Sequence, residues 1–227
     1  MYKRQISYNS TNNEYLVVWH GEDDTGLLVA GESEIFGQRI DGNTGGEIGT
    51  NDFRISDMGP DGDSSYLVFN PSISYNSTNN EYLVVWFGED DTGTLVDNEL
   101  EIFGQRIDGT TGAELGTNDF RISDAGPDGV AIYVALYPAV TYNSNNNEYL
   151  VVWEGDDNSG SLVDGEFEIF GQRINATSGA EVGTNDFRIS DMGPDGDTSY
   201  RGVVPSVAHN STTVSYTHLT LPTTPYV

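Results

Sequence analysis

The chain has 227 residues, 36 acids against nine lysines and arginines, a formal net charge of −27 and no cysteine. Without cysteine there are no disulfides, no thiolate-held zinc and no thiol catalysis, and the compartment is left open. The acidity excludes nucleic acid and anionic membranes as partners bound through the chain's own charge, because both need basic patches, and no apolar run approaches the ~18–20 residues of a membrane-inserted helix.

The two ends stand apart. Met1-Tyr-Lys-Arg-Gln5 and the stretch from Val214 to Val227 lie outside the pattern that fills the rest. Both resemble translated sequencing-adapter DNA of the transposon-tagging kind. TAT-AAG-AGA-CAG reads Tyr-Lys-Arg-Gln, matching residues 2–5, and its reverse complement contains GTC-TCT-TAT, which reads Val-Ser-Tyr, matching residues 214–216. Scars of this kind are kept out of fold reasoning. The expectation is a native segment of about Ile6–Thr213, cut from a longer reading frame, with ends 1–5 and 214–227 that pack against nothing. Without Lys3 and Arg4 the charge of that segment is −29.

Between the ends a 67-residue unit recurs. Trp19, Trp86 and Trp153 are 67 apart, as are Gln38, Gln105 and Gln172 and Arg54, Arg121 and Arg188. The units run 6–72, 73–139 and 140–213, the last including the start of a fourth at Val204-Pro-Ser-Val-Ala208, which matches Asn70-Pro-Ser-Ile-Ser74. A fixed period means an array of one supersecondary unit that cannot bury its faces alone.

Each unit gives four extended runs, seen in the second as Pro71–Tyr75 (run A), Glu81–Trp86 (B), Glu101–Ile107 (C) and Phe120–Ser123 (D). All are rich in β-branched and aromatic residues and bounded by Gly, Asn, Asp and Thr. Asn76-Ser-Thr-Asn-Asn80 is a tight A–B turn, and Asp108-Gly-Thr-Thr-Gly112 opens the C–D connection. In run B, alternation sends Tyr82, Val84 and Trp86 to one face and Leu83 and Val85 to the other, so both faces are apolar and buried. The predicted fold is all-β: tandem four-stranded antiparallel sheets, three blades plus the start of a fourth of an incomplete β-propeller. Sandwich domains of about 100 residues and seven strands are too large for the unit. A closed propeller needs at least four blades, so an open arc with two uncovered sheet faces is expected.

The order Pro-Ser-Ile-Ser-Tyr-Asn, Glu-Tyr-Leu-Val-Val-Trp, Ile-Phe-Gly-Gln-Arg, Phe-Arg-Ile-Ser resembles repeats of large bacterial secreted or surface proteins that look like β-propellers. The resemblance covers Ile6–Thr213. It implies an extracellular or cell-surface setting and further repeats of the same chain as partners, and it carries over no catalytic residue.

In a propeller, B–C and D–A connections emerge on one face. Here those loops are acidic: Glu89, Asp90, Asp91 and Asp97 in the second B–C loop, Asp156 and Asp157 in the third, and Asp57, Asp61 and Asp63, Asp124 and Asp128, and Asp191, Asp195 and Asp197 in the D–A loops. Hard cations such as Ca²⁺ take oxygen ligands of this type on glycine-rich loops. The spacing is not that of an EF-hand, and Val130 breaks the pattern in the second unit. Two readings stand: calcium sites, or a solvated acidic face with Asp and Gly as turn formers. Arg39, Arg106 and Arg173 in run C and Arg54, Arg121 and Arg188 in run D recur in every unit and read as structural partners of carboxylates. The tryptophans read as core.

Catalysis finds little support. His20 and His209 do not recur, and no serine sits in a nucleophile-elbow pattern. Plentiful acids keep a glycosidase in view. The glycosylation sequons at Asn9, Asn76, Asn175 and Asn210 all lie in or beside turns. The leading functional expectation is a non-enzymatic extracellular propeller module for binding or adhesion, steadied by calcium. The alternative is the propeller part of a carbohydrate-active enzyme whose catalytic residues lie elsewhere. Whether the ligand is protein or carbohydrate cannot be read from the residues.

Overall fold

The computed structural model describes residues 5–23, 26–90, 93–158, 160–211 and, as backbone, 215–218. Each unit forms one four-stranded antiparallel sheet with strands side by side in chain order. The first sheet is β1 (Gln5–Asn9), β2 (Glu14–Glu22), β3 (Ser33–Asp41) and β4 (Glu47–Arg54). The second is β5 (Val68–Asn76), β6 (Glu81–Gly88), β7 (Glu101–Asp108) and β8 (Glu114–Arg121). The third is β9 (Val134–Asn143), β10 (Glu148–Asp156), β11 (Phe167–Asn175) and β12 (Glu181–Arg188), followed by a hairpin of β13 (Val207–Asn210) and β14 (Ser215–His218).

Run B becomes β2, β6 and β10, and its alternation builds the core between sheets. Leu16 and Val18 face forward onto Tyr82, Val84 and Trp86 of the second sheet in one apolar cluster. Leu83, Val85 and Phe87 face forward onto Tyr149, Val151 and Trp153 of the third in another. The two seams use the same positions, one unit apart. Trp86 and Trp153 are fully enclosed, whereas Trp19, with no sheet before it, is half-buried. The first strands of the sheets also pack on one another, β1 on β5, β5 on β9 and β9 on β13. They therefore lie at the inner edge of the arc, as in a propeller.

Two elements outgrow their predicted spans. Run D was expected at Phe120–Ser123, but β8 begins at Glu114 and ends at Arg121. Its added part, Glu-Leu-Gly-Thr-Asn, is polar and lies on the outer edge of the sheet, where strand sequences lose their apolar mark. A bulge between Gly104 and Arg106 sets its register. Gln105 fills the bulge, accepting the Asp119 N–H and donating to the carbonyls of Arg106 and Leu115. Run A extends back to Val68 through a second bulge, between Phe69 and Ser72, and that irregularity is what admits Pro71 within the strand.

Two expectations about the ends need correction. Gln5 pairs with Val18 in β1, and residues 215–218 pair with β13. The pairing Asn210↔Ser215 repeats the register of Asn76↔Glu81 and Asn143↔Glu148. A strand edge with unpaired N–H and C=O groups templates an extended neighbour whatever its side chains, which accounts for pairing by residues outside the repeat. Residues 1–4 and 219–227 lie outside the described set. Secondly, the second uncovered face is only partly open. Ile6 and Tyr8 are exposed on the face of the first sheet turned away from the second. On the forward face of the third sheet, Leu150 and Val152 are buried, but Met192 is exposed where its equivalent Ala125 is buried. The segment entering β13 lies at that forward side: the Val204 N–H donates to Glu154 and the Gly202 N–H to the Phe167 carbonyl.

Candidate functional site: the acidic loop face

The B–C and D–A loops of each unit meet on one face, joined by carboxylates that accept backbone N–H groups. Glu32, Glu99 and Glu166 each tie the two loops together, accepting from Val29 and Gly62, Val96 and Gly129, and Val163 and Gly196. Beneath them, Glu34, Glu101 and Glu168 open the third strands as buried carboxyls. Each takes a short hydrogen bond from a serine hydroxyl (Ser56, Ser123, Ser190) and another from the N–H of Met58, Ala125 or Met192. Burial pushes the Glu34 carboxyl up to about 8 and that of Glu101 up to about 7.

The sequence-predicted metal ligands mostly serve arginines or turns. Arg54 reaches Asp57 at 2.8 Å and Asp61 at 2.6 Å. Arg121 holds Asp124 at 2.7 Å and Asp128 at 2.8 Å, and Arg188 holds Asp191 at 2.9 Å and Asp195 at 2.7 Å. The planar guanidinium suits this forked role. Asp63 and Asp197 accept the N–H groups of Ser65 and Ser199 in their own turns. Glu89 accepts from Asn98 and has Asp97 beside it. Asp156 accepts from Gly165, and Asp157 accepts from Gly126 of the preceding unit. Asp90 lies within electrostatic reach of Asp119, and Asp91 is outside the described residues. Among the described residues no three Asp, Glu, His or Cys side chains form a group that could hold a metal ion. The other arginine series pairs with the acid opening run B: Arg39 with Glu14 at 2.7 Å, Arg106 with Glu81 at 3.2 Å and Arg173 with Glu148 at 3.4 Å.

Sequence reasoning missed two groups. At each seam an aspartate of the fourth strand reaches back to the preceding unit: Asp119 of β8 accepts the Asp57 N–H at 2.5 Å, and Asp186 of β12 accepts the Asp124 N–H at 2.6 Å. The second oxygen of each is buried with no hydrogen-bond partner. Burial, reinforced by Glu114, Asp57 and Asp90 around Asp119 and by Glu181, Asp124 and Asp157 around Asp186, pushes both carboxyls up to about 7. The second group is a chain of rings crossing both seams at the inner edge. His20 meets Phe69 at 5.5 Å between centroids, Phe69 meets Phe87 at 5.6 Å, and Phe87 meets Tyr137 at 5.5 Å. These residues stand where second strands end and first strands begin, so they belong to the same loop face as the acids.

The opposite face is built from asparagine. Asn9 and Asn76 are fully buried, and their Nδ2 groups donate across the seams to Asn80 and Asn147. Two of the four sequons are thereby committed to blade packing.

No protein-family model matches the chain, and no curated protein does. Solved structures do. An endo-1,5-α-L-arabinanase from Thermotoga petrophila RKU-1, in complex with TRIS, aligns with a TM-score of 0.54 and 15% identity over 94% of this chain and 51% of its own. A second structure of the endo-1,5-α-L-arabinanase from Thermotoga petrophila RKU-1 gives 0.50 and 14% with the same coverage. The Hadza microbial sialidase Hz136 gives 0.51 and 10% over 76% of this chain and 35% of its own. The chain thus spans about half the length of the arabinanase. Together with the sheet order and the two equivalent seams, this likeness fixes the architecture as three blades and the start of a fourth of an incomplete β-propeller.

Proposed function

We propose that the chain is the propeller part of an extracellular protein that recognises or acts on carbohydrate, with any bond-breaking residues supplied from outside these units. The observation that carries this reading is the fold likeness to an arabinanase and a sialidase, both carbohydrate-acting by name. The acid networks support placing catalysis elsewhere. A glycosidase needs two carboxyl groups set apart across one bond, whereas the recurrent acids here are committed to arginines, serines and backbone amides. Adhesion without chemistry is the same proposal with the outside residues left out.

Affinity electrophoresis tests it. The protein is run through native gels cast with arabinan, xylan, galactan or cellulose ether, and through a gel without polysaccharide. At least one neutral polysaccharide should retard it. Equal mobility in all of them would overturn the carbohydrate reading.

A further inference from the structure

The three units are an alignment printed within one chain, and their differences are not scattered. Most positions match in all three or in two. Where all three differ and the chemistry changes, the positions fall on the loop face. They are the end of the second strand (His20, Phe87, Glu154), the B–C loop and its exit (Leu27, Thr94, Ser161; Ser33, Leu100, Phe167), and the entry to the next first strand (67–70, 134–137, 201–204). The other three-way differences are Ile48/Leu115/Val182, apolar throughout, and Ser64/Ala131/Thr198, small throughout. A purely structural position in a repeated seam meets the same neighbours each time and has no reason to diverge.

The divergent residues meet one another across the seams. His20 packs on Phe69, Phe87 packs on Tyr137, and Glu154 accepts the N–H of Val204. One scaffold seat therefore carries a histidine, a phenylalanine and a glutamate in turn. At the last position of this entry the backbone is left-handed each time, with φ of 51° at Asn70, next to His20's partner Phe69, 52° at Tyr137 and 50° at Val204. Asparagine tolerates that region, whereas a bulky or β-branched residue does so only under strain. Each also precedes a proline. A strained conformation kept with an unsuited residue points from structure to function. Tyr137 is 37% exposed there, so it is not held by burial.

We propose that this inner-edge strip, formed by the exposed Tyr137, which rests on the buried Phe87, and by the half-buried His20 and Phe69, is a binding site for a neutral oligosaccharide. The proposal rests on the carbohydrate reading above and gives it a location. Ring faces and edges suit the C–H surfaces of a sugar, and the Tyr137 hydroxyl suits its hydroxyls. Glu89, Asp90, Asp156 and Asp157 flank the strip in the B–C loops, and their charge disfavours an anionic sugar.

The test is Tyr137→Asn, which places in the third unit the residue found at Asn70. Tyr8→Asn, on the uncovered face of the first sheet, is the control. Dissociation constants are measured by calorimetry for neutral hexasaccharides derived from the polysaccharide that retards the wild-type protein. Tyr137→Asn should weaken binding at least about tenfold while raising the melting temperature by about 2 °C, because strain is relieved. Tyr8→Asn should leave affinity unchanged. Unchanged affinity in Tyr137→Asn would overturn the site and leave the carbohydrate reading standing. Binding to polygalacturonate in preference to every neutral polysaccharide would overturn the ligand class. A wild-type protein retarded by none would overturn both.

Discussion

Replacing Asp119 and Asp186 by asparagine should stabilise the protein at pH 8 and do nothing at pH 4. Each carboxylate takes a backbone N–H across a seam with one oxygen and buries the other without a partner. Each carboxyl is held near 7, against an ordinary value of 3.8. A group whose folded value is raised binds its proton more tightly in the native state. Its contribution to stability is therefore full below the unfolded value near 4 and is lost as pH climbs to about 7. A rise of about three units corresponds to about 4 kcal/mol at most. Both sites are only half-buried and water screens part of that, so about 1–2 kcal/mol per seam is the working figure. Asparagine keeps the acceptor for the Asp57 or Asp124 amide, puts an NH₂ where the orphan oxygen lay, and tolerates the left-handed φ of 42° and 43° at these positions. The double variant, gaining about 2–4 kcal/mol over the two seams, should melt at least about 4 °C higher at pH 8, at ~2–4 °C per kcal/mol, with the difference vanishing near pH 4. Asp52 is the built-in control: it holds the same place in the first unit but has no sheet before it and is exposed, so Asp52→Asn should change nothing at either pH. Calorimetric melting across pH 4–8 reads all of this. Loss of stability at pH 8, or a gain independent of pH, would refute the electrostatic account of the seam.

Trp86→Ala should cost about 3–5 kcal/mol in a denaturant titration, because it empties a closed space between sheets, whereas Trp19→Ala, at a half-covered position, should cost less than half as much. Calcium and magnesium at fixed ionic strength should act alike on the melting temperature, since arginines already hold six of the loop aspartates; a saturating rise with calcium alone would show that the loops regroup around the ion. Asn76→Ala should cost about 1–2 kcal/mol, because it removes a buried donor to Asn147 and the acceptor for the amides of Thr78 and Asn79, and a cost within ±0.5 kcal/mol would mean the asparagine seam is replaceable by water.

The period, the number of sheets and the two-faced burial of run B were legible because apolar alternation is a direct print of packing. Tyr82-Leu-Val-Val-Trp86 can satisfy neither face with water, so its neighbours on both sides were implied. Glu114–Asn118 was not legible as strand, because an outer edge imposes no apolar pattern. The acids were found but their partners were not. Asp61 and Arg54 are seven residues apart across a glycine-rich turn, and nothing in the spacing says that the guanidinium will reach the carboxylate. Asp119 was invisible for a further reason: its neighbour Asp57 is 62 residues upstream, a distance that acquires meaning only once the seam exists. The inner-edge rings could have been found by asking where the three copies disagree rather than where they agree.

The equivalence of the two seams has a genetic consequence. Leu16 and Val18 meet in the second unit the same Tyr-Val-Trp triplet that Leu83 and Val85 meet in the third. Excising residues 73–139 would therefore bring Leu16 and Val18 onto Tyr149, Val151 and Trp153, with no new interface to evolve. Near-identical DNA copies recombine readily, and here neither gain nor loss of a copy meets a folding penalty at the junction. What such an event would alter is the set of unlike seats along the inner edge: without residues 73–139, His20 would keep Phe69, while Phe87 and its partner Tyr137 would be lost together. Copy number in an array of this kind can drift as a neutral trait for the core while acting as an editing step for the surface it presents.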